Sequence, residues 1–365
     1  MKNKKLLYVA SNMQHINNFH LDYIASLRDR GYTVDVMARG EGADINIPFE
    51  KKLFSSKNTA CRRRIRRIIS DGSYDAVLLN TSLAAFHVRF AMPCRRRPRV
   101  VNLVHGYLFS DHTNPVKTAL LTLCERITRA KTDAIITMND ADRKIATEKR
   151  LTKGKVYFSR GMGAVIRDVI TSPDAIRREF FADGAFVLTF VGELSGRKNQ
   201  AFLIDALAKV KEFIPEAQLC LVGDGGEREA LLEEAKSLGL SESVIFTGSR
   251  RDACDFVRAS DLYVSASMIE GLPFNIIEAM GAGKTVLASR VKGHEDIIED
   301  GKDGFLYNFG DRDAFVSRVT DIYNGKLRLK EELIREKYLK YEKNSVFPET
   351  LSIIMDALNT DERSR

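Results

Sequence analysis

Proline is scarce, at 8 of 365 residues, and no tandem repeat or low-complexity stretch interrupts the chain. Collagen-like and disordered classes are thereby excluded, as 44% hydrophobic and 29% charged residues already suggest. No CxxC pair occurs among Cys61, Cys94, Cys124, Cys220 and Cys254, which predicts unpaired thiols in a reducing cytosol. The first residues, MKNKKLLYVA, lack the apolar core and cleavage site of a secretory signal. No stretch approaches the ~20 apolar residues that span a bilayer. Even Val77 to Met92 is broken by Asn80, His87 and Arg89, so the chain is not expected to cross a membrane. The six histidines show no HxxxH or HExxH spacing, and neither a bound metal nor a cofactor is expected.

What is present divides the chain. At 365 residues, two domains are the first expectation. Residues 1–168 carry 31 Lys and Arg against 15 Asp and Glu, whereas 169–365 carry 26 against 34. Ten arginines fall between Arg62 and Arg99, pointing the first half toward phosphate-rich surfaces.

Short apolar runs alternate with amphipathic stretches, the pattern of βαβ units building parallel sheets. Strands are predicted at Lys5 to Ala10, Thr33 to Met37, Asp75 to Asn80, Arg99 to Val104, Asp133 to Met138 and Lys155 to Phe158. A second set follows at Phe186 to Val191, Ala217 to Val222, Val244 to Thr247, Leu262 to Ser265, Thr285 to Ala288 and Gly304 to Tyr307. Between Tyr157 and Asp174 the periodicity lapses, and Pro173 suits a first helical residue. The boundary is set there, giving domains 1–168 and 169–344, with the apolar terminal segment 345–365 expected to pack back on the first.

Two phosphate motifs fail on spacing, and a metal motif is set aside on its position. Gly283-Lys284-Thr285 resembles the tail of a P-loop, but Glu278 stands where GxxxxGK[ST] needs glycine, so a helix ending at Gly281 to Gly283 is expected. Gly223-Asp-Gly225-Gly-Glu-Arg228 and Gly161-Met-Gly163-Ala-Val-Ile166 miss the third glycine of GxGxxG, which argues against a nicotinamide dinucleotide. The Gly223 loop reads equally as a tight turn or a ligand contact. Asp140-Ala-Asp142 and Asp311-Arg-Asp313 open predicted helices, where carboxylates cap free N–H groups, and are not read as metal ligands.

The segment Glu270-Gly-Leu-Pro-Phe-Asn-Ile-Ile-Glu278 carries more. Gly271 and Pro273 make a loop whose amides open toward the carboxyl ends of a sheet, and the helix that follows favours an anion near its start. One turn on, Glu278 can accept two hydrogen bonds from a vicinal diol such as ribose. Two surface glutamates would show the same spacing.

This Glu-x7-Glu segment, together with TFVGELSGRKNQAFLIDAL, LVGDGGER, IFTGSRRD and AMGAGKTVLASRVKGHEDIIEDGKDGFLY, resembles retaining nucleotide-sugar glycosyltransferases of family 4. In the first half HINNFHLDY, VNLVHGYLFS and TDAIITMNDADRKIA resemble bacterial members that build capsular or exopolysaccharide. The resemblance implies the α/β GT-B fold, two Rossmann-like, doubly wound parallel-sheet domains facing a cleft. The first would be acceptor-side and the second would bind the donor.

Carried onto this chain, it implies catalytic roles for Glu270, His105 and Lys198. The donor would be bound by Glu278, Gly271, Leu272, Pro273, Phe274, Asn275, Gly223, Arg250 and Arg197. Glu193 stands where the family often has a phosphate-binding Arg, and Arg197 either replaces it or is solvated. The glycine-rich turn after the first strand is replaced by Ser11-Asn-Met-Gln-His15, leaving His15, Asn17 and Asn18 as acceptor-side candidates.

The expected reaction is metal-independent, retaining transfer of a hexosyl group from a nucleotide-sugar, UDP preferred, to a glycan acceptor on a lipid diphosphate. The alternatives are a non-catalytic nucleotide- or glycan-binding scaffold and an NAD-dependent oxidoreductase. Arg62, Arg63, Arg64, Arg66, Arg67, Arg95, Arg96, Arg97 and Arg99 are read either as a solvated face or as a peripheral contact to anionic lipid at the inner membrane face. In the second reading Ile65, Ile68 and Ile69 would sit at the headgroups. No nucleic-acid module is recognisable, and no nucleic-acid partner is expected.

Overall fold

The computed structural model describes residues 4–50, 55–93, 97–109 and 113–360. Cys94, Arg95, Arg96, Ser110 and the last five residues, all named above, lie outside them. The chain forms two compact units, one of residues 1–163 with 344–365 and one of residues 164–343.

In the first unit, strands β1 (Lys4–Asn12), β2 (Tyr32–Arg39), β3 (Ile45–Asn46), β4 (Ala76–Leu79), β5 (Arg99–Val104), β6 (Ala134–Thr137) and β7 (Lys155–Phe158) form a parallel sheet in the order 3-2-1-4-5-6-7. In the second, β8 (Phe186–Val191), β9 (Ala217–Val222), β10 (Val244–Gly248), β11 (Leu262–Ser265), β12 (Val286–Arg290) and β13 (Phe305–Asn308) form another, ordered 10-9-8-11-12-13. Runs such as AIIT in β6 and AQLCLV in β9 are buried at every residue. Helices cover both faces of such strands, so apolar side chains are needed on each. In each unit the strand order reverses beside its first strand, between β1 and β4 and between β8 and β11. Loops leaving those strands flank a crevice at the carboxyl edge, the usual ligand position in open α/β sheets.

The units part at residue 163, five residues before the predicted boundary. Ala164 is already fixed in the second unit, donating its N–H to the Tyr341 carbonyl at 2.8 Å and accepting from Lys343 at 2.9 Å. The terminal helix, Lys343–Asn359, buries Leu351, Ile354 and Leu358, and Thr350 hydrogen-bonds Ser159 at 2.6 Å in the first unit.

Pro173 opens its helix, the helix after β11 stops at Gly281, and Asp140 and Asp311 stand at helix starts, each as the local chemistry predicts. Cys61, Cys124, Cys220 and Cys254 are free thiols.

The arginine-rich segment forms the helix Ser56–Asp71, and here one expectation is corrected. Ile65 and Ile69 lie in the hydrophobic core of the first unit and Ile68 packs against it, so the apolar face of this helix is spent internally and cannot meet a membrane. Arg63, Arg64, Arg66 and Arg67 remain exposed. Arg97 is also unavailable to lipid: Asp133 holds it through two contacts of 2.5 and 3.0 Å, pinning the start of β5. Arg99 donates to the Ala357 carbonyl at 2.6 Å.

Candidate functional site

The second unit gathers a charged cluster at its strand-order reversal. The loop leaving β8 turns through Ser195 and carries Arg197 and Lys198 to the start of the helix Gln200–Val210. From β11 the chain runs on to Glu270, whose N–H is held by the Lys292 carbonyl at 3.1 Å. Lys198 Nζ donates to Glu270 Oε1 at 2.6 Å and Arg197 Nη1 to Oε2 at 3.0 Å. Burial alone would raise the Glu270 carboxyl, but the Lys198 and Arg197 charges outweigh it and hold it at about 2. Glu270 is therefore an ionised carboxylate, 8% exposed, with a cation on each oxygen.

His294 backs this carboxylate, a role that the sequence alone does not assign to it. Its Nδ1–H donates to the Ser289 carbonyl at 2.7 Å, and Nε2 faces the Ser265 hydroxyl at 3.3 Å. Burial pushes its pKa down to about 4 against the opposing pull of Glu270, so the imidazole is neutral at pH 7. Gly293 before it has φ +89°, and a Cβ there would lie 2.7 Å from the Glu270 Cβ. Only glycine accepts both that conformation and that contact. The Gly-His pair within the motif was the available signal.

Pro273 caps the helix Phe274–Gly281, and Asn275 donates to the Val191 carbonyl at 3.0 Å, tying the first turn of that helix to the end of β8. Leu272 and Pro273 are buried, while Gly271, Phe274 and Asn275 are half-buried. One turn on, burial pushes the Glu278 carboxyl up to about 7, with Arg167 pulling the other way. No hydrogen bond to this carboxylate is formed among the described residues.

Gly223 and Gly225 serve backbone packing. A Cβ at Gly223 would sit 1.9 Å from the Gly192 carbonyl oxygen and one at Gly225 2.1 Å from that of Leu194. The loops after β8 and β9 thus touch main chain to main chain, which accounts for the partial GxGxxG. Asp252 takes the Arg250 guanidinium in two 2.8 Å bonds, and its face packs on Phe180 and Phe256. Glu193 is exposed.

In the first unit the reversal is occupied by imidazoles. Asn12 at the end of β1 caps the helix Met13–Phe19, accepting from the His15 N–H at 2.9 Å. His20 Nε2 meets His15 Nε2 at 3.1 Å, and its Nδ1 meets the Tyr8 hydroxyl at 2.8 Å. His105, leaving β5, stands edge-on to His15 at 4.6 Å between ring centroids. Its Nε2 is buried without a hydrogen-bond partner. Burial pushes His15 to about 4 and holds His20 and His105 well below the usual range, so all three are neutral at pH 7. Their ligand atoms lie within 4.8 Å of one another, the one such group found among the described residues. Asn17 and Asn18 are exposed.

Sequence and fold are both similar to those of known proteins. Residues 17–158 match the family model Glycosyltransferase Family 4, and residues 172–340 match Glycosyl transferases group 1. The chain is 32% identical over 347 residues to EpsD of Bacillus subtilis (strain 168), covering 91% of this chain and 90% of that one. It is 27% identical over 278 residues to the UDP-Gal:alpha-D-GlcNAc-diphosphoundecaprenol alpha-1,3-galactosyltransferase of Escherichia coli, covering 70% and 68%. Among solved structures, Anabaena Alr3699/HepE in complex with UDP and glucose matches with a TM-score of 0.74 at 22% identity, over 97% of this chain and all of that one.

The two parallel-sheet domains have the GT-B fold, and the two family models with the EpsD match make the chain a glycosyltransferase. The chain belongs to glycosyltransferase family 4, with homologues in lipopolysaccharide and glycolipid biosynthesis. The oxidoreductase alternative falls with that assignment.

Proposed function

We propose that the protein transfers a hexosyl group from a UDP-sugar to a glycan acceptor on a lipid diphosphate, with retention at the anomeric carbon and without a metal ion, in bacterial surface polysaccharide synthesis. The observation that carries this reading is the buried Glu270 carboxylate with Lys198 and Arg197 on its two oxygens, at the carboxyl edge where β8 and β11 part. An ammonium has three donors and a guanidinium five, so both cations keep capacity for a diphosphate while holding Glu270. The galactosyltransferase of Escherichia coli is named for a UDP-Gal donor and a diphosphoundecaprenol acceptor, and HepE was solved with UDP. Both names support the substrate classes.

In the transfer, the acceptor hydroxyl oxygen bonds to the anomeric carbon on the face from which UDP departs. The bond from that carbon to the diphosphate oxygen breaks with its electron pair on the phosphate, which then takes the hydroxyl proton. Lys198 and Arg197 stabilise the negative charge as it develops on the leaving group, the help such a reaction needs most. Glu270 accepts from donor-sugar hydroxyls beside the Gly271 to Asn275 loop, and Glu278, with its acceptor sites open, takes the ribose diol. The Gly223 loop lends main-chain contact. His105 Nε2, buried without a partner, donates to a sugar hydroxyl. The exposed Arg63, Arg64, Arg66 and Arg67 draw the protein to the anionic inner face of the membrane.

Incubating the whole chain with UDP-sugars and a lipid diphosphate-linked acceptor, with Glu270→Gln beside it, tests the reading. Product with a retained anomer, abolished in the variant, is expected. A folded wild type that binds UDP yet transfers no sugar to any such acceptor supports the scaffold alternative instead.

A further inference from the structure

The helix Pro115–Thr128 packs Leu121 inward against the core of the first unit but turns most of its large apolar side chains outward. Its buried residues are Thr122, Cys124, Glu125 and Thr128. Its outward large apolar residues are Val116, Leu120, Leu123 and Ile127, exposed by 77, 45, 52 and 56%. Spacings of four, three and four residues put these side chains in one stripe about 16 Å long. A helix on the surface of a globular domain ordinarily turns such a stripe inward.

The orientation is locked from inside. Arg89, fully buried in the helix Ser82–Ala91, grips Glu125 through two hydrogen bonds of 2.9 and 2.8 Å and reaches the Thr132 hydroxyl at 3.3 Å. Rotating the helix to hide its leucines would pull Glu125 away and leave Arg89 buried and unpaired. The apolar face is held outward.

Charge identifies what covers it. Glu125, the sole acid of this helix, is internal and neutralised, so its outer surface carries apolar side chains and the exposed cations Lys117 and Arg126. Near its carboxyl end Lys131 donates to the Phe90 carbonyl at 3.2 Å. Phe90 is itself 44% exposed beneath the Arg62 guanidinium, 4.9 Å from its ring centre. A second copy of the chain docked face to face would set these cations against one another. An anionic bilayer offers hydrocarbon for the stripe and phosphate for its rim.

We infer that the helix Pro115–Thr128 is a membrane-surface anchor, lying in the headgroup plane of an anionic bilayer with Val116, Leu120, Leu123 and Ile127 inserted. The inference deepens the reading of a lipid-linked acceptor and moves the main contact from the arginine-rich helix to this one.

The chain contains no tryptophan, so Leu120→Trp creates a single fluorescent reporter. With vesicles of equimolar phosphatidylglycerol and phosphatidylcholine, its emission should shift to the blue and be quenched by lipids brominated on the acyl chain. Co-sedimentation of the otherwise unaltered chain with these vesicles should fall at least about tenfold in Leu120→Ser/Leu123→Ser and roughly tenfold in Lys117→Gln/Arg126→Gln. UDP binding, measured on each variant, should remain at the wild-type level, which separates failure of the anchor from failure of the donor site. An unshifted, unquenched reporter, or equal sedimentation of all variants, overturns the inference. So does a blue shift that depends on protein concentration and not on vesicles, which would make the stripe a protein contact.

Discussion

The two units fill the same topological point with different electrostatics. In the second, Glu270 is ionised and clamped by two cations. In the first, His15, His20 and His105 are neutral: His20 bonds His15 and Tyr8, and His105 meets His15 only ring to ring. The shared sheet topology delivers loops to the strand-order reversal, and loop residues decide what is done there. Charge in the second unit suits a diphosphate leaving group. Neutral imidazoles in the first suit contacts to uncharged hydroxyls.

The comparison breaks most readily at Glu270. Glu270→Gln should lower sugar transfer about 10³-fold, whereas His105→Gln should cost about tenfold, in initial rates at saturating donor. Equal losses would erase the distinction between the two sites.

Ion pairs sharpen it next. Arg89 and Glu125 are both buried, so Arg89→Leu should reduce stability by about 3 to 5 kcal/mol in urea denaturation. Arg197, 38% exposed, should cost less than about 1 kcal/mol when changed to Ala, with transfer the property that suffers.

A third effect is pH. Glu278, raised to about 7, loses its proton as pH climbs through neutrality, and donor binding should strengthen over that range. Glu278→Gln should flatten the profile, and His105→Gln should not, because burial keeps that imidazole neutral throughout. Stability runs the opposite way. A carboxyl raised in the folded state stabilises below its unfolded value and loses that contribution as pH rises through about 7, so Glu278→Gln should gain stability above neutrality. Glu270, held at about 2, stabilises above the unfolded value and loses this only toward strong acid.

The smallest expected effect is that of Tyr8→Phe, which removes one buried hydrogen bond to His20 and should cost about 1 kcal/mol in thermal or urea unfolding.

Most of the fold was legible because strands buried on both faces read as continuous apolar runs. β5, β7, β8, β9 and β11 begin and end where the sequence pattern places them. β3 spans only Ile45–Asn46, too short for any periodicity. The Glu-x7-Glu segment was legible through its motif, but the grip of Lys198 and Arg197 on Glu270 joins residues more than seventy positions apart. His294 and His20 lie within AMGAGKTVLASRVKGHEDIIEDGKDGFLY and HINNFHLDY, but neither shows a metal-ligand or catalytic spacing that singles it out. The arginine-rich helix misled because its isoleucines look alike whether they face lipid or a core. The helix Pro115–Thr128 shows the same ambiguity reversed, and only the buried Arg89–Glu125 pair tells which side is inside.

The most direct test of the central claim, that the second unit holds a nucleotide-sugar donor through Glu278 and the Lys198–Arg197 cations, is calorimetric titration of the whole chain with UDP in the absence of metal. Saturable binding at one UDP per chain, weakened about tenfold in Glu278→Ala, is predicted. No binding by a folded chain, or equal binding by wild type and variant, would contradict it.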